Sequence, residues 1–278
     1  MPVNVYLPNL MMIEEIIQET PDTQTMRLVF KDEEMRENFK FKWGQFGLYS
    51  AFGEGESVFC IASSPTRKGY IECTFRKVGR VTGALNRLNV GDTIGFRGPY
   101  GNWFPIDEWK GKNLLFIAGG IALPPLRCGI WQALDERNNF KDVTLIYGAR
   151  TVADLVYKRE LKEWEERSDI NLIKTVDPGG ETKDWDGKIG FVPTVLGQTD
   201  IKSDNTIAIV CGPSIMIKFT FPVLYKMGFS KENIYTTLEN RMKCGIGKCG
   251  RCNVGEIYVC KEGPVFTALQ IEKLPPEY

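Results

Sequence analysis

Four cysteines near the end of the chain, Cys244, Cys249, Cys252 and Cys260, stand as C-x4-C-x2-C-x7-C in the stretch CGIGKCGRCNVGEIYVC. Thiolates are soft ligands, and the first three match the plant-type spacing that wraps one side of a 2Fe-2S cluster before a later cysteine completes it. Gly245, Gly247 and Gly250 suit such a wrap, because a loop folding tightly around a cluster needs positive φ angles and backbone N–H groups close to sulfur. A four-cysteine zinc knuckle would use the same ligands, though it ordinarily sets them out as two C-x2-C hooks.

A second stretch with chemical meaning is LLFIAGGIALPP, where Gly119, Gly120 and Ala122 follow an apolar run and precede prolines. Small residues at a strand-to-helix turn let the backbone approach a pyrophosphate, and the helix start favours its charge. A glycine pair after a buried strand is equally a plain turn, so this motif is weak alone. IVCGPSIM supports it: Cys211, Gly212 and Pro213 put a small thiol and a tight turn at the carboxyl end of a later strand. A nicotinamide ring needs close access there, which makes Cys211 the candidate catalytic residue. The competing reading is a buried cysteine acting as a small apolar residue, and Cys128 in LPPLRCGI is read that way.

The composition sets limits on the chemistry. The chain has 278 residues, eight cysteines and no histidine, which excludes Ser-His-Asp triads, Cys-His pairs and imidazole-ligated zinc from this chain. Electron and hydride transfer fit, because there the cofactor carries the reactive atoms. Lys plus Arg and Asp plus Glu both count 35, so no net charge draws the chain to nucleic acid or to a membrane surface. The opening MPVNVYLPNLMMIEEII lacks the order of a signal peptide, and no run reaches about 18 apolar residues, so no direct membrane insertion and a cytoplasmic location are expected. In that compartment clustered cysteines bind metal or do redox work more readily than they form disulfides.

These residues need scaffolds to hold them. From Met11 to about Pro105 the chain shows short β-branched and aromatic runs, TQTMRLVF, FGLYSAF, SVFCIASS, YIECTFRKV and DTIGFRGPY. They predict a small antiparallel barrel, with one short helix after Thr82. From about Lys112 buried runs alternate with helix-like stretches, predicting a doubly wound parallel sheet with ligands at the carboxyl ends of its strands. One of those helices, SIMIKFTFPVLYKMGF, contains Pro222, which is expected to kink it or end a turn. The fold class is thus α/β plus β-barrel, in three domains: a barrel over residues 1–108, a nucleotide-binding domain over 109–235, and a small C-terminal iron–sulfur domain over 236–278.

A barrel followed by GPYGNWF, AGGIALPPLR, YGAR and CGPSIM resembles the ferredoxin-NADP reductase superfamily. CGIGKCGRC is similar to the branch with a C-terminal 2Fe-2S domain, which includes dihydroorotate dehydrogenase electron-transfer subunits, the corresponding subunits of anaerobic sulfite reductase, and sulfhydrogenase gamma subunits. The resemblance covers nearly the whole chain. It implies FAD on the barrel, NAD(P)H on the sheet, a 2Fe-2S cluster on the four cysteines, and a redox partner subunit or ferredoxin. The family's flavin motif, Arg-x-Tyr-Ser, falls on Ser57, Val58, Phe59 and Cys60, so its arginine, tyrosine and serine are all replaced here. Its second flavin segment falls on Phe75, Arg76 and Lys77, and its Gly-Thr turn on Val81 and Thr82, which makes Arg76 the candidate for the pyrophosphate. Gly119, Gly120, Cys211, Gly212, Pro213 and Met216 match family nucleotide positions. Tyr278 invites comparison with C-terminal tyrosines that stack on flavin, and Arg150 and Lys158 suit either a 2′-phosphate or a solvated helix face.

The order of parts implies a converter between hydride and single-electron chemistry, an electron-transfer subunit of a hydrogenase- or sulfite reductase-type complex. Two alternatives stay open: a self-contained NAD(P)H-flavin reductase with a structural cluster, and a zinc-stabilised scaffold with an empty nucleotide fold.

Overall fold

The computed structural model describes residues 4–275, so Tyr278 lies outside the described residues. The chain falls into two compact units, residues through Phe104 together with Leu238–Pro264, and Pro105–Thr237 together with the residues from Val265 onward.

The first unit begins with β1 (Asn9–Thr20), β2 (Thr23–Phe30), α1 (Glu33–Asn38), β3 (Phe46–Ala51), β4 (Gly55–Cys60), β5 (Ile71–Arg76), α2 (Arg80–Leu85) and β6 (Thr93–Tyr100). Its six strands form one antiparallel sheet in the order β4-β3-β6-β1-β2-β5. Phe59 on edge strand β4 stacks on Phe75 of the other edge strand, β5, with centroids 5.3 Å apart, which curls the sheet into a barrel. The interior is built from Met11, Ile13, Leu28, Tyr49 and Phe96, all 0–1 % exposed. Burying side chains of this size stabilises by roughly 1.5–3 kcal/mol each. The runs legible in the sequence begin at TQTMRLVF; the structure adds β1, a long strand that pairs with both β2 and β6.

The second unit holds β7 (Asn113–Gly119), α3 (Leu123–Asp135), β8 (Val143–Ala149), α4 (Lys158–Glu166), β9 (Asn171–Val176), β10 (Lys188–Ile189), α5 (Val192–Leu196), β11 (Thr206–Cys211), α6 (Ser214–Lys226) and β12 (Ile234–Thr237). Helix α6 runs through Pro222 rather than ending a turn there. After β12 the chain forms the cysteine segment of the first unit, with the two-residue strands β13 (Asn253–Val254) and β14 (Ile257–Tyr258) and the short α7 (Val259–Glu262). It then returns as β15 (Val265–Thr267) and α8 (Ala268–Ile271).

The resulting sheet has the order β10-β9-β8-β7-β11-β12-β15. Strands β7 to β12 pair in parallel, and β15 closes the edge antiparallel to β12. The doubly wound parallel reading therefore holds, with one antiparallel strand added from the chain beyond the cysteines. Strand order runs from β7 towards β8 and β9 on one side and jumps to β11 on the other, so the topological switch point lies between β7 and β11.

Candidate redox site

The cysteine segment folds as a tight wrap. Gly245 and Gly247 have φ of 77° and 72°, the left-handed region that side chains disfavour. A Cβ on Gly245 would also lie 2.8 Å from both Leu48 Cδ1 and Tyr100 Cδ2, so the loop lies directly on the barrel strands. Three backbone N–H groups point at sulfur: Gly247 donates to Cys260 Sγ at 3.2 Å, and Lys248 and Cys249 donate to Cys244 Sγ at 3.3 and 3.4 Å. Burial opposes ionisation of Cys244, but the N–H groups of Ile246, Cys249 and Lys248 outweigh it and bring the thiol down to about 7. Burial and the neighbouring Cys252 push Cys260 up to about 12.

Cys244 lies beside Cys249, and Cys260 lies beside Cys252 and within electrostatic reach of Cys244, so the four thiols form one neighbourhood. A tetrahedral zinc site needs four donors around one metal, whereas a 2Fe-2S cluster takes two thiolates on each of two irons. The donor set and its N–H groups fit the cluster. Cys249 is the exposed member, while Cys252 and Cys260 are each 1 % exposed.

One polar contact supporting this loop was not anticipated from the sequence. Arg97 of β6 is 4 % exposed and pairs with Glu56 of β4 through two bonds, Nε to Oε1 at 2.8 Å and Nη2 to Oε2 at 2.7 Å. Its Nη1 reaches the carbonyl of Val5 at 3.2 Å and that of Cys244 at 3.5 Å. The available signal was an arginine inside the otherwise apolar run TIGFRGPY. The GPYGN turn contributes as well, since Asn102 donates its backbone N–H to Gly263 O and its side chain to Glu262 O.

The flavin candidates lie on the barrel. Ser57, Val58, Phe59 and Cys60 are all half-buried on β4, and the Phe59 ring rests against Tyr49 as well as Phe75. The Tyr49 hydroxyl is fully buried without a hydrogen-bond partner, and burial pushes its pKa well up. Phe75 is interior, and Arg76 and Lys77 project at the end of β5. Arg76 Nε is ion-paired with Asp22 Oδ2 at 3.2 Å but makes no well-directed hydrogen bond. Gly79 precedes α2 and supplies no capping side chain, and Thr82 Oγ1 accepts from the N–H groups of Val78 and Gly79 at 3.0 and 2.9 Å, which fixes the turn holding Val81. Two cations beside a backbone turn fit a pyrophosphate.

The nucleotide candidates gather at the switch point. The parallel register sets Cys211 against Ala118, so Gly119 and Gly212 follow at the carboxyl ends of adjacent strands. Met216 lies over both, and a methyl on either glycine would collide with its Sδ or Cε. Gly120 has φ 56° and is followed by Ala122 and the prolines that open α3. Pro213 is exposed, whereas Cys211 is 1 % exposed with Sγ 3.3 Å from Thr237 Oγ1. The absence of side chains at this turn fits a dinucleotide backbone.

Comparison with known proteins gives three matches to domain families along the chain. Residues 11–104 match an oxidoreductase FAD-binding domain and 116–221 an oxidoreductase NAD-binding domain. Residues 239–272 match the iron-sulfur cluster binding domain of dihydroorotate dehydrogenase B. Sulfhydrogenase 1 subunit gamma of Pyrococcus furiosus is 42 % identical over 91 % of this chain and 89 % of its own length. The chain belongs to this family of sulfhydrogenase gamma and dihydroorotate dehydrogenase B electron-transfer subunits.

A probable electron-transfer subunit of dihydroorotate dehydrogenase B from the same organism is 36 % identical over 85 % of the chain and 84 % of its own length. The fold is that of ferredoxin-NADP reductases: the NADH-dependent reduced ferredoxin-NADP oxidoreductase structure, 23 % identical, superposes with a TM-score of 0.74 over 100 % of this chain and 92 % of its own. The protein is therefore an oxidoreductase subunit with FAD-binding, NAD-binding and iron–sulfur domains. Among the described residues no helix is long and apolar enough to cross a membrane.

Proposed function

We propose that the chain is an electron-transfer flavoprotein subunit that moves electrons between NAD(P)H and a partner redox enzyme, of the hydrogenase or sulfite reductase type, by way of FAD and a 2Fe-2S cluster. The observation that carries this reading is the tight wrap of four neighbouring thiols with three backbone N–H groups directed at the sulfurs of Cys244 and Cys260. When bound, these groups supply conversion between two-electron hydride chemistry and one-electron transfer.

The division of labour follows the sequence boundaries: residues 1–108 hold the flavin, 109–235 the nucleotide, and 236–278 carry the cluster ligands. Arg76 and Lys77 neutralise the flavin pyrophosphate, with Val81 and Thr82 shaping the turn beside it. Ser57, Val58, Phe59 and Cys60 line the flavin along β4, where Phe59 supplies a packing face but no hydroxyl. Gly119, Gly120, Ala122, Gly212, Pro213 and Met216 form the cradle for the dinucleotide, and the Cys211 thiol sits at the strand end nearest the reacting ring. Cys244, Cys249, Cys252 and Cys260 ligate the two irons, and the exposed edge at Cys249 faces the partner.

The test is NADH- or NADPH-dependent reduction of a one-electron acceptor by the wild-type chain and by Cys249→Ala. The variant should keep its flavin and nucleotide-driven flavin bleaching but lose most one-electron throughput. Full throughput without iron would make the chain a self-contained reductase.

A further inference from the structure

The barrel unit carries a cavity of about 470 Å³ that none of the flavin, nucleotide or cluster candidates enters. Its walls are aromatic, with Phe39, Phe41, Tyr70 and Trp103 contributing ring faces or edges. Its charged lining is of one sign: Arg36, Lys40, Lys42, Arg67 and Lys68 border it, and among the described residues no carboxylate does. In a chain with 35 cations balanced by 35 anions, five cations around one cavity make a local field that favours an anion.

The groups are also arranged for a ring. Lys42 Nζ stands 3.9 Å from the centroid of the Trp103 ring, a cation already seated on an aromatic face that is 44 % exposed. Arg36 is held by two bonds from its guanidinium to Phe30 O at 3.1 and 2.9 Å, so that cation is fixed rather than free to swing away. Lys40, Lys42 and Lys68 are exposed at the mouth. A cavity of this volume lies in the ordinary range for small-molecule sites, roughly 300–1,000 Å³.

Its place in the fold separates it from the proposed pyrophosphate contact. Tyr70 and Ile71 stand at the start of β5, and Arg76 ends it, so the cavity lies about 20 Å along the strand from the proposed pyrophosphate contact, at roughly 3.3 Å per residue. We propose that this cavity is a separate binding site for a planar aromatic anion of mononucleotide size, its ring against Trp103 and Phe39 and its anionic group among Lys40, Lys42 and Lys68.

The experiment uses the flavin- and iron-loaded chain with saturating NAD⁺, so that the dinucleotide site is filled, and measures AMP, naphthalene-2-sulfonate and uncharged adenosine by titration calorimetry. The expected result is about one AMP per chain that NAD⁺ does not displace, weakened by added salt, with adenosine about tenfold weaker for loss of a charged contact. Trp103→Leu and the double variant Lys40→Gln/Lys42→Gln should each weaken AMP about tenfold or more while flavin and iron contents stay unchanged. The double variant alters only exposed side chains and carries the test if Trp103→Leu fails to fold. Absence of binding by both anions, complete displacement by NAD⁺, or binding unchanged in the variants would each overturn the proposal.

Discussion

Arg97→Met probes the polar support of the cluster loop. The substitution keeps most of the aliphatic stem but removes both bonds to Glu56 and the reach to the carbonyls of Val5 and Cys244. Removing one partner of a fully buried pair costs about 3–5 kcal/mol. The Glu56 side chain is 31 % exposed and keeps its bond from Ser50, so water recovers part of that loss and about 2–3 kcal/mol is expected. For a chain of this size that lowers the thermal midpoint of the barrel unit by about 5–10 °C. Iron should also become accessible to a chelator faster than in wild type, because the Cys244 backbone loses its anchor.

The pH dependence has a definite sign. Hydrogen bonds from Arg97, with its charge and Ser50 in support, hold the Glu56 carboxyl below its ordinary value despite partial burial. A depressed carboxyl stabilises fully above its unfolded-state value and loses that contribution as pH falls through its folded-state value. The gap between wild type and variant should therefore be full at neutral pH and shrink below about pH 4. The assay is thermal or urea unfolding at both pH values with iron release followed in parallel. An unchanged midpoint with unchanged chelator resistance would refute the assignment of Arg97 as the support of this loop.

Three further substitutions address the other sites. Gly245→Ala forces a side chain into φ 77° against Leu48 and Tyr100, and should cost about 2 kcal/mol and most of the bound iron, checked by iron assay and unfolding; normal iron loading would contradict the packing argument. Arg76→Ala should weaken FAD about tenfold or more by removing a charged donor, read from flavin retention on dilution, with iron content unchanged. Gly119→Val displaces Met216 from the switch point and should raise KM for the nucleotide about tenfold or more while flavin binding is preserved; an unchanged KM would place the dinucleotide elsewhere.

The cluster motif was legible because its signal is local: four thiols and four glycines within seventeen residues encode both ligands and loop. The parallel sheet was legible for the same reason, each buried run ending in its own turn residues. Strand β1 was not, since bulges between Ile13 and Glu15 and between Gln18 and Thr20 break its alternation. Helix α4 begins only at Lys158, because a short 3-10 turn capped by Thr151 and Asp154 occupies Val152–Asp154 and Tyr157 takes a left-handed conformation before the helix. Strand β15 has three residues and depends on pairing with β12, a long-range choice that no local pattern encodes. The Glu56–Arg97 pair joins positions 41 residues apart, and only the register of β3 between β4 and β6 brings them together.

The central claim is tested most directly by an anaerobic visible spectrum of the purified chain with iron, zinc and flavin quantified on the same sample, followed by titration with NADH and with NADPH. The account predicts about one FAD and about two irons per chain, little zinc, and bleaching by at least one of the two nucleotides. Stoichiometric zinc with no flavin would contradict it and leave a scaffold in place of an electron carrier.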